Sequence, residues 1–270
     1  MVVKVYGSGW RSDGELRYEI DLLEHLAGTG VPVARTIPGR DGARLHHLET
    51  TEGRRRVMVF EVAPGAKPVR PFTTALYRAF GRAAAGMHAA LDHFATPHPR
   101  FRQDAEYLID RPLEALRPYL EPRPEAWAFL IDVAARVRAD ILALARDGLD
   151  WGVIHGDLTL DNLHVAEDGR IVFYDFDDGG PGWRAHEFYG VYQFQREAQN
   201  GVWDAYLDGY LTVRGLSAND LRAVPSFVVA DQVWSMGVDA ERRLPVLTAE
   251  QVDARIARWF VRLRALVAGS

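Results

Sequence analysis

The sequence contains no cysteine, which excludes disulfide staples, a thiolate metal site and a cysteine nucleophile. It has almost no lysine: Lys4 and Lys67 accompany an otherwise all-arginine set of basic residues. It has no surplus of positive charge either. Thirty-two basic against 37 acidic side chains leave a formal charge of −5, the opposite of the basic footprint of a nucleic-acid binder. No apolar run approaches the ~18 residues of a membrane span, and no secretory leader pattern opens the chain. Neither nucleic acid nor a membrane is therefore expected as a partner, and cytoplasm is the default location. The remaining composition, 48% hydrophobic and 26% charged in 270 residues, suits a soluble globular chain of one large domain or two lobes.

The scarcity of lysine makes Lys4 informative. It interrupts a strand-like run, Val2-Val3-Lys4-Val5-Tyr6, in a chain that elsewhere chooses Arg. Arg is a wide planar fork, whereas Lys is a compact point charge on a flexible stem. A site that needs such a charge is one reading of Lys4; an edge-strand lysine facing water is the other.

Patterning divides the chain into a small mixed part and a larger helical part. After the strand at 2–6, Ser12-Asp-Gly-Glu15 is a capping box that opens a helix carrying Leu16, Ile20, Leu23 and Leu26 and stopping at Gly28. Residues 43–49 and 55–60 read as a hairpin turning at Thr51-Glu52-Gly53. Phe60-Glu-Val-Ala-Pro-Gly65 reads as a linker. Helices are expected at 73–95, 104–120 and 124–147, then at 184–198, 202–213, 218–224, 226–242 and 249–267. Between the two groups lies a polar strand-and-loop segment, 151–182, with strand-like pieces at 163–166 and 171–174 around Glu167-Asp-Gly169 and a flexible Gly179-Gly-Pro-Gly182 near its end.

That segment holds the densest chemistry. Trp151-Gly-Val-Ile-His155-Gly-Asp157 ends an apolar run in polar groups, Asn162 follows five residues later, and Asp175 ends the next apolar run in Ile-Val-Phe-Tyr-Asp175-Phe-Asp177-Asp178. Folding the short hairpin back would bring Asn162 and Asp175 together. Mg²⁺ takes hard oxygen ligands, usually one or two side chains plus substrate phosphates. Phosphoryl transfer needs that metal, a carboxylate facing the acceptor hydroxyl and a cation on the donor phosphates. Asp157, Asn162, Asp175 and Lys4 supply this set.

HGDLTLDN followed by FYDFDD resembles the aminoglycoside phosphotransferase and choline kinase superfamily, which includes homoserine-kinase-like small-molecule phosphotransferases. The resemblance extends to VVKVY, VPVA (31–34), MVFEVAPG (58–65) and FGRAAAGMHAAL (80–91). It implies an α+β, protein-kinase-like fold of two lobes: a small, N-terminally shortened mixed α/β lobe at 1–62 and a larger, mainly helical lobe at 63–270 with the catalytic loop and metal site. It further implies an ATP- and Mg²⁺-dependent transfer of phosphate to a hydroxyl of a small molecule. Asp157 would be the catalytic base or acceptor-orienting carboxylate, Asn162 and Asp175 the Mg²⁺ ligands, and Lys4 the phosphate contact held by Glu19. Glu61 C=O and Ala63 N–H would hold adenine. His155 would pack under the catalytic loop and fix its backbone by a hydrogen bond.

Two departures from the family shape the expectation. The family carries two strands and a phosphate-covering turn ahead of the lysine strand, whereas this sequence starts three residues before Lys4. It would be a shortened form of a longer protein, a minimal kinase covered by another segment, or a pseudokinase-like nucleotide- or ligand-binding module without phosphotransfer. The filled catalytic positions favour the first. In addition, Glu187-Phe188 stands where relatives carry an Asp-Leu pair, a change read as tolerated. For the acceptor, Asp177 and Asp178 with nearby aromatics (Trp183, Phe188, Tyr189, Tyr192, Phe194, Trp203, Trp234) suit a cationic molecule through charge pairing and cation–π contact. An amino alcohol, a homoserine-like compound or an aminoglycoside-type antibiotic all satisfy this, while each single aromatic reads more readily as helical core.

Overall fold

A computed structural model describes residues 1–51, 53–198 and 200–268, which form two compact units. The first comprises 1–101, 152–181 and 197–215; the second comprises 102–151, 182–196 and the chain from Leu216 onwards.

The first unit begins with β1 (Val2–Val5). Ser12 then caps α1 (Asp13–Gly28) as its sequence pattern requires: the Ser12 hydroxyl accepts from Glu15 N–H at 3.2 Å, and the Glu15 carboxylate accepts from Ser12 N–H at 2.8 Å. Strands β2 (His46–Thr50) and β3 (Gly53–Phe60) make the expected antiparallel hairpin, and β3 also pairs with β1, giving the order β1-β3-β2. Of the expected turn Thr51-Glu52-Gly53, Glu52 lies outside the described residues. Leu16 of α1 closes on Tyr6 and Met58 to cover the sheet.

Farther along, α2 (Thr74–Leu91) packs lengthwise on α6 (Val202–Leu211), shorter at its end than the helix expected to 213. The approach depends on two glycines. A Cβ at Gly81 would stand 2.0 Å from Tyr206 O, and one at Gly209 would stand 1.9 Å from Arg78 O. Strand β4 (Trp151–Ile154) leads into the polar segment, where β5 (Leu163–Val165) and β6 (Ile171–Phe173) form an antiparallel hairpin in the register Leu163↔Phe173. The Val31–Ala34 segment docks on that hairpin: Phe173 N–H donates to Pro32 O, and Ala34 N–H donates to Phe173 O.

The glycine-rich stretch expected to be flexible is instead strand β7 (Gly180–Trp183). Gly180 serves close approach: a Cβ there would press to 3.0 Å on both Arg100 Cγ and Phe101 O.

The second unit is helical. A π-helical turn (Glu106–Asp110) leads into α3 (Arg111–Leu120), followed by α4 (Pro124–Arg146); α5 (Tyr189–Ala198), α7 (Ala218–Arg242) and α8 (Ala249–Ala268) come later. The two helices expected at 218–224 and 226–242 are one. Pro225 removes an N–H that would bond Leu221 C=O, an interior-helix cost of about 3 kcal/mol. The buried face of α7, including Val224, Phe227, Val228 and Met236, packs on α3 and α4 and offsets it. Among the described residues, no helix is long and apolar enough to cross a membrane.

Candidate active site

The β5–β6 hairpin places Asn162 and Asp175 at its open end. Tyr174 N–H donates to Asn162 O at 3.1 Å, one residue beyond the Leu163↔Phe173 pair, so the residue after Tyr174 follows directly beside Asn162. Asp175 has φ 64° and ψ 58°, the only positive φ at a non-glycine among the described residues. Its side chain is about half exposed.

Asp157 lies in the loop after β4, and Asn162 connects it to the hairpin. The Asn162 carboxamide nitrogen donates to Asp157 Oδ2 at 2.7 Å and to Asp157 O at 2.9 Å. With its NH₂ spent on Asp157, Asn162 keeps Oδ1 as a hard oxygen donor on the side of the amide away from Asp157. Buried His155 fixes this loop from beneath. Tyr174 O can only accept, so His155 Nε2 carries the proton in their 2.9 Å bond; Asp157 N–H can only donate, so Nδ1 accepts it at 3.3 Å. One neutral imidazole thus joins the backbone before Asp157 to the backbone before Asp175.

Lys4 reaches across from β1. Its ammonium stands 2.6 Å from Asp175 Oδ1 and 3.6 Å from Asp177 Oδ2. Burial alone would pull its pKa down, but the carboxylates of Asp177, Glu19 and Asp175 outweigh burial and hold it above the ordinary lysine value. The ion pair expected between Lys4 and Glu19 is absent from the hydrogen bonds of this state. Glu19 is buried; Tyr6 OH donates to its Oε2 at 3.4 Å, and its Oε1 has no partner. Burial pushes the Glu19 carboxyl from 4.5 to about 7, with Lys4 opposing the shift.

Lys4, Glu19, Phe60, Glu61, Ala63 and Asp175 line one cleft of about 380 Å³. The Glu61 side chain is turned to Arg35, whose guanidinium is 2.8 Å from Oε1, so what the residue offers to the cleft is backbone. Ala63 O accepts from His164 Nδ1 at 2.9 Å, and Ala66 exchanges backbone bonds with Val165, which fastens the linker to β5.

Asp177 and Asp178, expected to line the acceptor site, meet cations of the protein itself. Arg11 Nε is 3.4 Å from Asp177 Oδ1, Arg11 Nη2 is 2.6 Å from Asp178 Oδ1, and Trp10 Nε1–H donates to Asp177 Oδ2 at 2.8 Å. Burial would raise the Asp177 carboxyl, yet Lys4 and Arg11 bring it below the usual range, while burial wins at Asp178 and lifts it to about 6.

Asn162 and Asp175 offer hard oxygens at the open end of the hairpin, and Asp175 lines a cleft that holds one lysine; this donor set fits a small divalent cation sharing its shell with phosphate. Among the described residues there is no cluster of three His, Asp or Glu side chains able to hold a metal by themselves.

Residues 1–223 match the model of the phosphotransferase enzyme family, known as APH. The chain belongs to that family. This makes it a kinase-type phosphotransferase with an alcohol group as acceptor, and it has the family's kinase-like α+β fold. An uncharacterized protein of Deinococcus radiodurans is 39% identical over 249 residues, which is 89% of this chain and 71% of that one. Among solved structures, a microcompartment-associated aminopropanol kinase superposes with a TM-score of 0.77 at 25% identity, covering 95% of this chain and 82% of that one. An amicoumacin kinase superposes with a TM-score of 0.75 at 22% identity, covering 97% and 80%.

Within this phosphotransferase, the sequence motifs point to Asp157, Asn162, Asp175 and Lys4 but not to the residues that fix them in place. Trp10 and Arg11 precede the capping box, and Arg100 sits in a helix-free stretch, Pro97-His-Pro-Arg-Phe-Arg102. Neither place has periodicity, and one arginine among thirty carries no compositional signal. Long-range bonds to 176–179 make them part of the site.

Proposed function

We propose that this phosphotransferase uses ATP and Mg²⁺ to phosphorylate a hydroxyl of a small, cationic molecule such as an amino alcohol. The observation that carries the reading is a connected run of three oxygen-bearing side chains and one lysine: Asn162 bonded to Asp157, the hairpin end setting Asp175 next to Asn162 along the backbone, and Lys4 2.6 Å from Asp175.

In this reading the Glu61 C=O and Ala63 N–H take the adenine edge, and Lys4 leaves Asp175 for the donor phosphates. Asn162 Oδ1 and the Asp175 carboxylate would hold Mg²⁺, which when bound would supply charge neutralisation on the phosphoryl group being transferred. Asp157 would accept a hydrogen bond from the acceptor hydroxyl and take its proton as the new O–P bond forms and the bond from the γ-phosphorus to the β–γ bridging oxygen breaks, with ADP as the leaving group. Glu19, buried and near enough to raise the pKa of Lys4, would be the counter-charge left to the lysine when Asp175 serves a metal. The names of the two structural neighbours support the substrate class and the cofactors: one is an aminopropanol kinase, and the other was solved with AMP-PNP, Ca²⁺ and its amicoumacin ligand. Residues 1–62 then act as the nucleotide lobe and 63–270 as the catalytic and helical lobe, working in the cytoplasm.

Calorimetry with AMP-PNP tests the reading. Wild-type protein should bind it more tightly with Mg²⁺ than with EDTA, and Asp175→Ala should erase that difference while leaving the fold intact. Equal Mg²⁺ dependence in both proteins would remove Asp175 from the metal role.

A further inference from the structure

Two arginines converge on the backbone that follows Asp175, and no step described so far uses them. Arg11, in the loop before α1, donates from Nε to Asp177 O at 3.1 Å and from Nη2 to Asp178 Oδ1 at 2.6 Å. Arg100, in the loop after α2, donates to the carbonyls of Phe176, Asp177 and Gly179, and also to Glu15 O at 2.9 Å. Rings hold both guanidinium groups flat: Arg11 stands 3.9 Å from the centre of the Trp10 ring and 4.4 Å from that of Phe101, with Arg100 4.5 Å from Phe101. The Arg11 side chain is only 5% exposed. Every carbonyl of the turn 176–179 except that of Asp178 thus faces an arginine, and both of its carboxylates are balanced from the same side.

The turn is held next to Asp175, the only non-glycine at positive φ among the described residues. The left-handed region is sparsely populated by L-residues, Asp and Asn entering it more readily than most, and a residue there is held by its surroundings. Asp175 is such a residue, and in this conformation its carboxylate lines the cleft and meets Lys4. Relaxing to negative φ would redirect the chain after it and break the arginine bonds of the next four residues.

We propose that Arg11 and Arg100 are positioning residues for Asp175: they fix the backbone that presents its carboxylate to a divalent cation and so set the affinity for the metal carried by the nucleotide. Asp177 and Asp178 act as counter-ions to these arginines, not as contacts for the acceptor. The inference rests on the reading of Asp175 as a metal ligand. It requires a fork, because the guanidinium holds a backbone carbonyl and a carboxylate through two nitrogens fixed in one plane, whereas a lysine ammonium presents a single nitrogen on a flexible stem.

The test measures Mn²⁺ binding to the protein–AMP-PNP complex by electron paramagnetic resonance, and AMP-PNP binding in EDTA by calorimetry, for wild type, Arg11→Lys, Arg11→Met and Asp175→Ala. Both Arg11 variants should bind Mn²⁺ at least tenfold more weakly while metal-free nucleotide binding stays within twofold. Arg100→Lys gives the same readout should the Arg11 variants fail to fold. If Asp175→Ala abolishes Mn²⁺ binding and the arginine variants leave it unchanged, the positioning role is overturned and the metal reading stands. Equal weakening of Mn²⁺-bound and metal-free nucleotide would reduce the arginines to general supports of the fold and also overturn it. Should Asp175→Ala itself bind Mn²⁺ like wild type, the metal reading falls and takes this inference with it.

Discussion

Asp157 and Glu19 are both carboxylates of the first unit, in contrasting surroundings. Asp157 is anchored through Asn162 at 2.7 Å and sits on a loop whose backbone His155 fixes, so its position is set without sealing it away. A positioned acid–base group contributes roughly 10²–10⁴-fold to turnover. Asp157→Asn should therefore lower turnover by about that factor, with AMP-PNP affinity in calorimetry unchanged; a variant that loses affinity and keeps turnover would defeat the assignment. Glu19 is sealed instead, and burial raises its carboxyl from 4.5 to about 7. The folded state then keeps the proton to higher pH than the unfolded chain does, so Glu19 makes stability fall as pH rises from about 4.5 through 7. Glu19→Gln keeps an acceptor for Tyr6 and removes the charge. Relative to wild type it should gain stability between pH 5 and pH 8, by on the order of 2 kcal/mol, read from urea midpoints across that range. A difference that does not change with pH would mean that Lys4 compensates the charge fully.

Among the elements, the α2–α6 contact makes the plainest prediction. Gly81 allows the backbone of one helix to meet that of the other, and a methyl there would collide with Tyr206 O. Overpacking of this kind costs typically 1–3 kcal/mol, so Gly81→Ala should lower the melting temperature by several degrees, whereas Gly86→Ala, with nothing within 4 Å of its added Cβ, should not. Elements with purely local causes are legible in the sequence: the Ser12 capping box starts α1 at the expected residue, and the turn at Glu167-Asp-Gly169 joins β5 to β6. Elements with distant causes are not. Gly180 of β7 reads as part of a flexible linker until Arg100 and Phe101 are placed against it, and Pro225 reads as a break until α7 is packed on α3 and α4. The site divides the same way. Asp157, Asn162 and Asp175 are visible because a catalytic loop and a hairpin are short-range objects. The bonds of Lys4 to Asp175 rather than Glu19, and of Arg11 and Arg100 to 176–179, are decided by contacts spanning 76 to 171 residues.

For the whole molecule, the lysine-poor composition finds its counterpart in one place. Lys4 stands among Asp175, Asp177 and Glu19, where a small movable cation serves and a guanidinium fork would lock onto its carboxylates. Lys4→Arg should accordingly bind Mg-AMP-PNP more weakly than wild type by about tenfold, the equivalent of ~1.4 kcal/mol, despite the conserved charge. Unchanged affinity would show that charge alone is needed there. The central claim is transfer of phosphate to an alcohol, and ³¹P nuclear magnetic resonance of a reaction mixture tests it most directly. With ATP, Mg²⁺ and a panel of amino alcohols, homoserine and aminoglycosides, wild-type protein should convert the γ-phosphate signal into that of a phosphate monoester, and Asp157→Asn should not. A protein that binds Mg-ATP tightly yet yields no monoester with any acceptor would contradict the account and leave a nucleotide-binding module in its place.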